Sequence, residues 1–211
     1  MRKTIIKLFI LLLVLPVLKS FGQQQCTGLL LSNNVTSFPV SGYPKVFYSQ
    51  FHPGIDYFRE WKINKKEKNQ FWLNADAGIY YHRFVQTAIR LYATVNYLNV
   101  INQRLNLLAG LGGGYLHSIE NKATLKMNDE GVYEVKNKII GRPQILIVID
   151  LGGSYALKKN NPQSIRLQLH IRTYVQGVFV KGYVPFLPVN TFAVGVSKPL
   201  SQKRKAIIIP S

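Results

Sequence analysis

Four residues of this chain are candidates for binding a ligand: His82, Arg90, Arg142 and Arg172. The planar guanidinium of an arginine offers several donors at once and matches a phosphate or a carboxylate. The chemistry they suggest is therefore the binding of a small anion or a phosphorylated lipid. Six more ionisable residues predict a network of paired charges: Asp56, Glu60, Asp76, Asp150, Arg166 and His170. The alternative is that the four candidates pair with these acids and only fill the interior.

Hydrolysis is the other chemistry that the residues suggest. A serine hydrolase needs a serine within hydrogen-bond reach of a histidine that an acid orients. His117 and Ser118 are adjacent, but adjacent residues of a strand point to opposite faces. His170 lies among arginines and glutamines, where a structural hydrogen bond explains it. Since the four histidines are scattered and have no nearby acid pair, we predict no catalytic residue, metal or cofactor, with a membrane-embedded lipid hydrolase as an alternative.

The segment 163–177 shows how such residues are positioned. Apolar and polar side chains alternate from Ile165 to Gln176, and Thr173 is the one weak break. This is the pattern of a β-strand with one apolar and one polar face. Further segments repeat it, and together they predict eight strands, at 27–38, 50–63, 70–83, 88–99, 104–118, 139–157, 163–177 and 188–200. The expected fold is an all-β, eight-stranded antiparallel up-and-down transmembrane barrel.

We expect the polar face of each strand to line the lumen and the apolar face to contact lipid. The polar faces carry both signs of charge, as an enclosed lumen requires, because an isolated buried ion costs several kcal/mol. They also carry Gly78, Gly110, Gly112 and Gly114, where a narrow eight-stranded barrel has little room. Most strands run to about 14 residues, more than the 9–11 that cross a bilayer. A soluble exported barrel, with the apolar face inside, is the alternative.

The lengths of the links predict the orientation in the membrane. With both termini in the periplasm, the inner links are short, at 64–69, 102–103 and 158–162. The outer links are longer, at 39–49, 119–137 and 178–187, apart from the short link 84–87. Outer-membrane barrels have this asymmetry, which puts His82, Arg90, Arg142 and Arg172 toward the outer mouth and the other charged residues deeper. The link 119–137 predicts a surface hairpin with its tip at 128–131, and Val184–Pro188 predicts a rigid bend.

The N-terminus predicts export. Cations precede an apolar run from Leu8 to Leu18, and the small residues Ser20 and Gly22 follow, as in a signal peptide over residues 1–22. Removing that segment takes away four cations and lowers the formal net charge from +18 to +14. Phosphorylated lipid head groups, rather than nucleic acid, are the expected anionic neighbours, since no nucleic-acid-binding signature is present. Residues 23–200 then form one domain, and residues 201–211 form a basic tail.

Several runs resemble a family of small outer-membrane β-barrel proteins of Bacteroidetes, of the eight-stranded OmpA type. They are FHPGIDY (51–57), YYHRFVQTAIRLY (80–92), GGGYLHSI (112–119), IGRPQ (140–144) and YVPFLPVNTFAVGV (183–196). The resemblance implies a barrel in the outer membrane and transfers no catalytic residue. One departure is that a basic tail follows the last strand, where such barrels commonly end on an aromatic residue. The expected role is structural or in surface interaction, with protein partners unknown and a small anion or phosphorylated lipid at the outer mouth as the alternative.

Overall fold

The computed structural model describes residues 24–39, 41–121, 125–128, 130–135, 141–161, 163–180 and 184–200. The predicted signal peptide 1–22 and the basic tail 201–211 lie outside the described residues. No helix in the described part of the chain is long and apolar enough to cross a membrane.

Eight long antiparallel strands close into a barrel, as the sequence predicts. The barrel strands are β1 (Gln25–Thr36), β2 (Pro53–Lys62), β3 (Asn69–His82), β4 (Gln86–Val100), β5 (Leu105–Glu120), β8 (Arg142–Ala156), β9 (Arg166–Val180) and β10 (Val184–Leu200). A short helix, α1 (Lys45–Tyr48), lies between β1 and β2, and a separate hairpin of β6 (Leu125–Met127) and β7 (Tyr133–Val135) lies between β5 and β8.

Consecutive barrel strands are neighbours throughout, and β1 pairs with β10 to complete the ring. The closing register runs from Gln25 opposite Leu200 to Thr36 opposite Val189. All neighbouring pairs are antiparallel, which makes this an up-and-down barrel without a free edge. We call the end where β1 begins and β10 ends the terminal end, and the opposite end the loop end.

Burial alternates along the strands in the predicted sense. Leu167 and Ile171 of β9 are 47% and 36% exposed on the outside, whereas Arg172 is 1% exposed in the lumen. The lumen also takes Leu146 and Val148 of β8, both buried, which explains why the alternation of that segment is blurred in the sequence. An apolar outer face around a polar lumen is the arrangement of a transmembrane barrel.

Thr173 lies on the outer face of β9, and a loop covers it. The link 37–52 folds back over β10, where the rings of Phe47 and Phe192 pack with their centroids 5.2 Å apart. Asn190 of β10 donates to Ser37 Oγ at 2.9 Å and to the Phe38 carbonyl at 2.8 Å, and Thr173 donates to Asn190 Oδ1 at 2.8 Å. The weak break in the alternation is therefore a covered position on the outer face.

The hairpin in the link after β5 has its tip where the sequence predicts it. Asn128 N donates to the Val132 carbonyl at 2.9 Å, and Gly131 N donates to the Asn128 carbonyl at 3.1 Å. Gly131 has a φ of 81°, a conformation that glycine adopts without the steric cost of a side chain. Among the strands that the structure describes, β6 and β7 pair with each other and with no barrel strand, so the hairpin is an addition to the barrel.

The predicted long link over 178–187 is wrong. Strand β9 runs to Val180 and β10 begins at Val184, which leaves a link of residues 181–183 that lies outside the described residues. The predicted bend at Val184–Pro188 is instead the start of β10, and the register is irregular between Val184 and Phe186. Proline has no N–H for the ladder but is tolerated at such an irregularity, so Pro185 does not end the strand.

Candidate functional site

The first buried ion pair of the lumen joins Arg90 of β4 to Asp56 of β2. Arg90 Nη2 donates to both carboxylate oxygens of Asp56, at 2.9 and 3.0 Å. Its Nη1 donates to Asn34 Oδ1 at 3.1 Å, and Thr191 of β10 donates to the same oxygen at 2.8 Å. Arg90 and Asp56 are 0% and 1% exposed, so the charge of each is compensated inside the protein.

The second cluster of charges is centred on Arg172 of β9. Its Nε donates to Asp150 Oδ2 at 2.9 Å, and its Nη1 donates to Asp76 Oδ1 at 3.2 Å. His170 Nδ1 lies 2.9 and 3.1 Å from the two oxygens of Asp150. These four residues come from β3, β8 and β9, and all are buried. Two carboxylates therefore share one guanidinium and one imidazole.

Tyrosines connect the two clusters across the lumen. Arg172 Nη1 donates to Tyr92 Oη at 2.7 Å, and the hydroxyls of Tyr92 and Tyr174 are 2.9 Å apart. The guanidinium of Arg90 lies over the ring of Tyr174, 4.4 Å from its centroid. We call the connected set the lumen network; its members are Asn34, Asp56, Asp76, Arg90, Tyr92, Asp150, His170, Arg172, Tyr174 and Thr191. They come from every barrel strand except β5.

Polar side chains also fill the lumen on the loop side of the network. Gln86 donates to Gln176 Oε1 at 2.8 Å and to the hydroxyl of Tyr80, and Ser118 donates to Gln86. The rings of His52 and His82 stack with centroids 3.6 Å apart. Burial lowers the pKa of His52, which precedes β2, because a buried site disfavours the charged imidazolium.

The four residues expected at the outer mouth do not form one cluster. Arg90 and Arg172 are members of the lumen network and use their donors on Asp56, Asp76 and Asp150. His82 is 5% exposed and stacks on His52. Arg142 pairs with Glu120 at 2.6 Å and is the most accessible of the four, with 36% of its side chain exposed. Binding of an anion by these residues stays a prediction, and Arg142 is the one whose side chain is substantially exposed to solvent.

The geometry of the histidines bears on hydrolysis. Ser118 is fully buried in the lumen, whereas His117 is its neighbour on the other face and lies 2.8 Å from the hydroxyl of the outward-facing Tyr115. His170 is oriented by Asp150, but its Nε2 has no hydrogen-bond partner among the described residues. An acid and a histidine are thus paired as in a triad, but no serine of the described residues is hydrogen-bonded to that histidine. No group of three or more potential metal ligands occurs among the residues described.

A cavity of about 470 Å³ lies in the lumen at the terminal end. Its lining includes Glu60, Arg166, Cys26, Trp72, Leu98 and Leu108. The prediction that Glu60 and Arg166 belong to the network of paired charges is wrong: both face the lumen, but neither forms an ion pair with a residue that the structure describes, because they line opposite sides of this cavity. Arg166 donates to Ser154 Oγ at 3.1 Å and to the Arg104 carbonyl at 3.0 Å. The space at this end is the feature that sequence reasoning missed, since cavity volume depends on how the other side chains pack.

No protein-family model matches this sequence, and no curated protein matches it either. Several solved structures are similar. Neisserial surface protein A is 12% identical with a TM-score of 0.49, and the superposition covers 84% of this chain and 96% of the Neisserial protein. The outer membrane enzyme PagL is 8% identical with a TM-score of 0.47, covering 83% and 99%. A de novo designed transmembrane β-barrel is 8% identical with a TM-score of 0.46, covering 84% and 96%. The strand order and register, rather than these likenesses, identify the barrel here.

Proposed function

We propose that the protein is an integral outer-membrane β-barrel with both termini in the periplasm, and that it acts as a structural or surface-interaction protein rather than a pore. The observation that carries this is the lumen network. It places buried, mutually paired side chains from β4 and β9 across the middle of the barrel. An eight-stranded barrel has an interior just wide enough for side chains to fill, and here they fill its middle.

The outer surface supports a membrane location. Its middle is apolar, with Leu91, Leu111 and Ile149 exposed. Exposed aromatic side chains occur toward both ends, where a bilayer meets water; they are Phe71, Tyr97 and Tyr155 toward the terminal end and Phe51, Tyr81, Phe84 and Tyr115 toward the loop end. Membership of the Bacteroidetes family that the sequence resembles is part of the same proposal.

The loop end is the proposed surface of interaction. It carries the two longest links, with α1 and the hairpin β6–β7. Phe38, Phe47 and Tyr48 of the first link are 78%, 66% and 73% exposed. Exposed aromatic side chains are typical anchors at protein and membrane interfaces. Phosphorylated lipid head groups next to the cations at both barrel ends are the proposed lipid contact.

Envelope fractionation combined with surface proteolysis tests location and orientation together. A protease site inserted between Glu130 and Gly131, at the hairpin tip, is expected to be cut in intact cells. The same site inserted in the link 101–104 at the terminal end is expected to be cut only after the outer membrane is permeabilised. Cleavage in the reverse pattern would contradict the orientation, and a soluble product in the fractionation would contradict the membrane location.

Conductance measurements test the closed lumen. The purified barrel in a planar bilayer is expected to show no stable single-channel current, because the lumen network occupies the middle of the barrel. Folding is checked first from the shift in gel mobility on boiling, so that a silent bilayer cannot be attributed to an unfolded sample. A steady ohmic current from the folded wild-type protein would contradict the proposal.

A further inference from the structure

The cavity at the terminal end is lined by an acidic and a basic side chain that do not pair with each other. Glu60 of β2 and Arg166 of β9 both line it. The ion pairs found in the described part of the barrel involve Asp56, Asp76, Glu120 and Asp150, but not Glu60. This separates the two residues from the lumen network, where each charge meets its opposite.

Glu60 is the more telling of the two. Glu60 is only 8% exposed. Its carboxylate forms no hydrogen bond or ion pair with any residue that the structure describes. An ionised carboxylate that is buried without a partner costs several kcal/mol, whereas the buried carboxylates of Asp56, Asp76 and Asp150 each pair directly with an arginine. The carboxylate faces the cavity, so a group within the cavity can supply the missing donor and positive charge.

Arg166 presents the complementary charge. It donates to two neutral oxygens, Ser154 Oγ and the Arg104 carbonyl, and it lies more than 4.0 Å from the carboxylates of the described residues. Strands β1 and β10 separate β2 from β9. Neighbouring strands lie roughly 4.8 Å apart, so the two intervening strands keep β2 and β9 well separated around the wall. The side chains of Glu60 and Arg166 therefore face the cavity from different sides, with a gap between them. Cys26 of β1, opposite Glu60 in the register, lies on the wall between them.

We infer that this cavity binds a small zwitterion, whose ammonium group contacts Glu60 and whose phosphate or carboxylate contacts Arg166. The volume of about 470 Å³ is within the range of small-molecule sites. Trp72, Leu98 and Leu108 supply apolar wall for the carbon chain between the charges. The inference depends on the lumen geometry and not on the proposed membrane or orientation.

Calorimetry of the full-length folded barrel in a neutral maltoside detergent tests the inference, with glycerophosphoethanolamine as the zwitterionic probe. Ethanolamine carries only the cation and glycerol phosphate only the anion, so both are expected to bind at least about ten-fold more weakly, as the loss of one charge-assisted contact implies. The inference is overturned if the wild-type protein does not bind the zwitterion at millimolar concentration, or if either single-charge probe binds as tightly.

Two substitutions locate the site. Glu60→Gln and Arg166→Gln are each expected to weaken binding of the zwitterion at least about ten-fold, and Glu60→Gln is expected to leave the weak binding of glycerol phosphate unchanged. The matched controls, Glu130→Gln and Arg83→Gln, remove the same charges at the loop end and are expected to bind as the wild type does. Folding of each variant is verified by its gel mobility. Unchanged affinity in both folded lumen variants would overturn the inference.

The zwitterion could come from a free solute or from a lipid head group, and bilayer discs distinguish these sources. If the head group is the ligand, discs that contain phosphatidylethanolamine abolish the binding of the free probe, whereas discs of phosphatidylglycerol alone do not. If the ligand is a free solute, the probe binds equally in both. A chain that ends at Leu200 controls for the basic tail, which follows the cavity rim in sequence; loss of probe binding in this folded chain would overturn the assignment to Glu60 and Arg166.

Discussion

Asp56 and Arg90 meet across Gly78. In the register, Asp56 of β2 is opposite Gly78 of β3, and Gly78 is opposite Arg90 of β4. A Cβ atom built on Gly78 would lie 1.8 Å from Asp56 Oδ1. The ion pair between next-nearest strands therefore exists because the residue between them has no side chain.

Gly78→Ala is expected to destabilise the barrel by about 1–3 kcal/mol, the usual cost of overpacking, because the new methyl group displaces the Asp56 carboxylate from Arg90. Urea unfolding of the barrel in lipid vesicles measures the change. Gly153→Ala is the control: its Cβ would lie 3.1 Å from the nearest atom, the Asn106 carbonyl oxygen, so a smaller effect is expected. Equal effects for the two variants would contradict the role of Gly78.

Removing one member of the buried pair is expected to cost more than removing both. Asp56→Asn leaves Arg90 charged and buried without its carboxylate, with an expected loss of about 3–5 kcal/mol. In the double variant Asp56→Asn, Arg90→Met, no uncompensated ion remains, so part of the stability returns. The same unfolding measurement gives the coupling. If the loss of stability in the double variant equalled the sum of the losses in Asp56→Asn and Arg90→Met, Asp56 and Arg90 would not be energetically coupled.

A charge on the outer face distinguishes lipid from water as the surroundings. Ile149 is the central residue of β8 and is 46% exposed. In a bilayer, Ile149→Arg is expected to cost about 2–4 kcal/mol, falling to about 0–1 near the interface, where Ile165→Arg is the control. In a soluble barrel both changes are surface substitutions of about 0.5 kcal/mol or less. Similar small losses at both positions would contradict the membrane barrel.

Acid is expected to destabilise the loop end through His52. Burial lowers the pKa of this histidine below its ordinary value of 6.5, so the unfolded chain takes up the proton more readily than the folded one. The contribution of neutral His52 to the free energy of unfolding is thus fully present above pH 6.5, and it is lost as the pH falls below that value toward the lowered pKa. Thermal unfolding at pH 7 and pH 5 measures this loss, which His52→Gln is expected to reduce. A variant with the full acid sensitivity of the wild type would contradict the role of His52.

The fold was largely predictable because a barrel strand is a local pattern. Alternation within 163–177 determines which face of β9 is apolar. Arg172 can therefore be assigned to the lumen and Leu167 to the outside without knowing which strands lie beside β9. The start of β10 was not predictable in the same way. Pro185 and Pro188 indicate a bend locally, but β10 begins there because Val184 and Phe186 to Pro188 pair with β9; pairing with β1 follows from Val189 onward.

The candidate site was less predictable, because pairing depends on contacts between distant strands. The sequence places Arg90, Arg172 and Glu60 on polar faces, but it does not distinguish which of these charged residues has a partner. Only the register brings Arg90 to Asp56 and Arg172 to Asp150, and only the packing leaves Glu60 without a partner. Alternation therefore predicts which residues enter the lumen, and not which of them remain available for a ligand.

The lumen network has a mechanical consequence. Its hydrogen bonds from Arg172 of β9 reach Tyr92 of β4 and Asp76 of β3 on the far wall, so they act as internal struts. Flattening the circular cross-section would break several charge-assisted bonds at once, which makes the wall stiff against lateral pressure. Where the hydrophobic height of such a rigid cylinder differs from the thickness of the surrounding bilayer, the lipids must stretch or compress to match it.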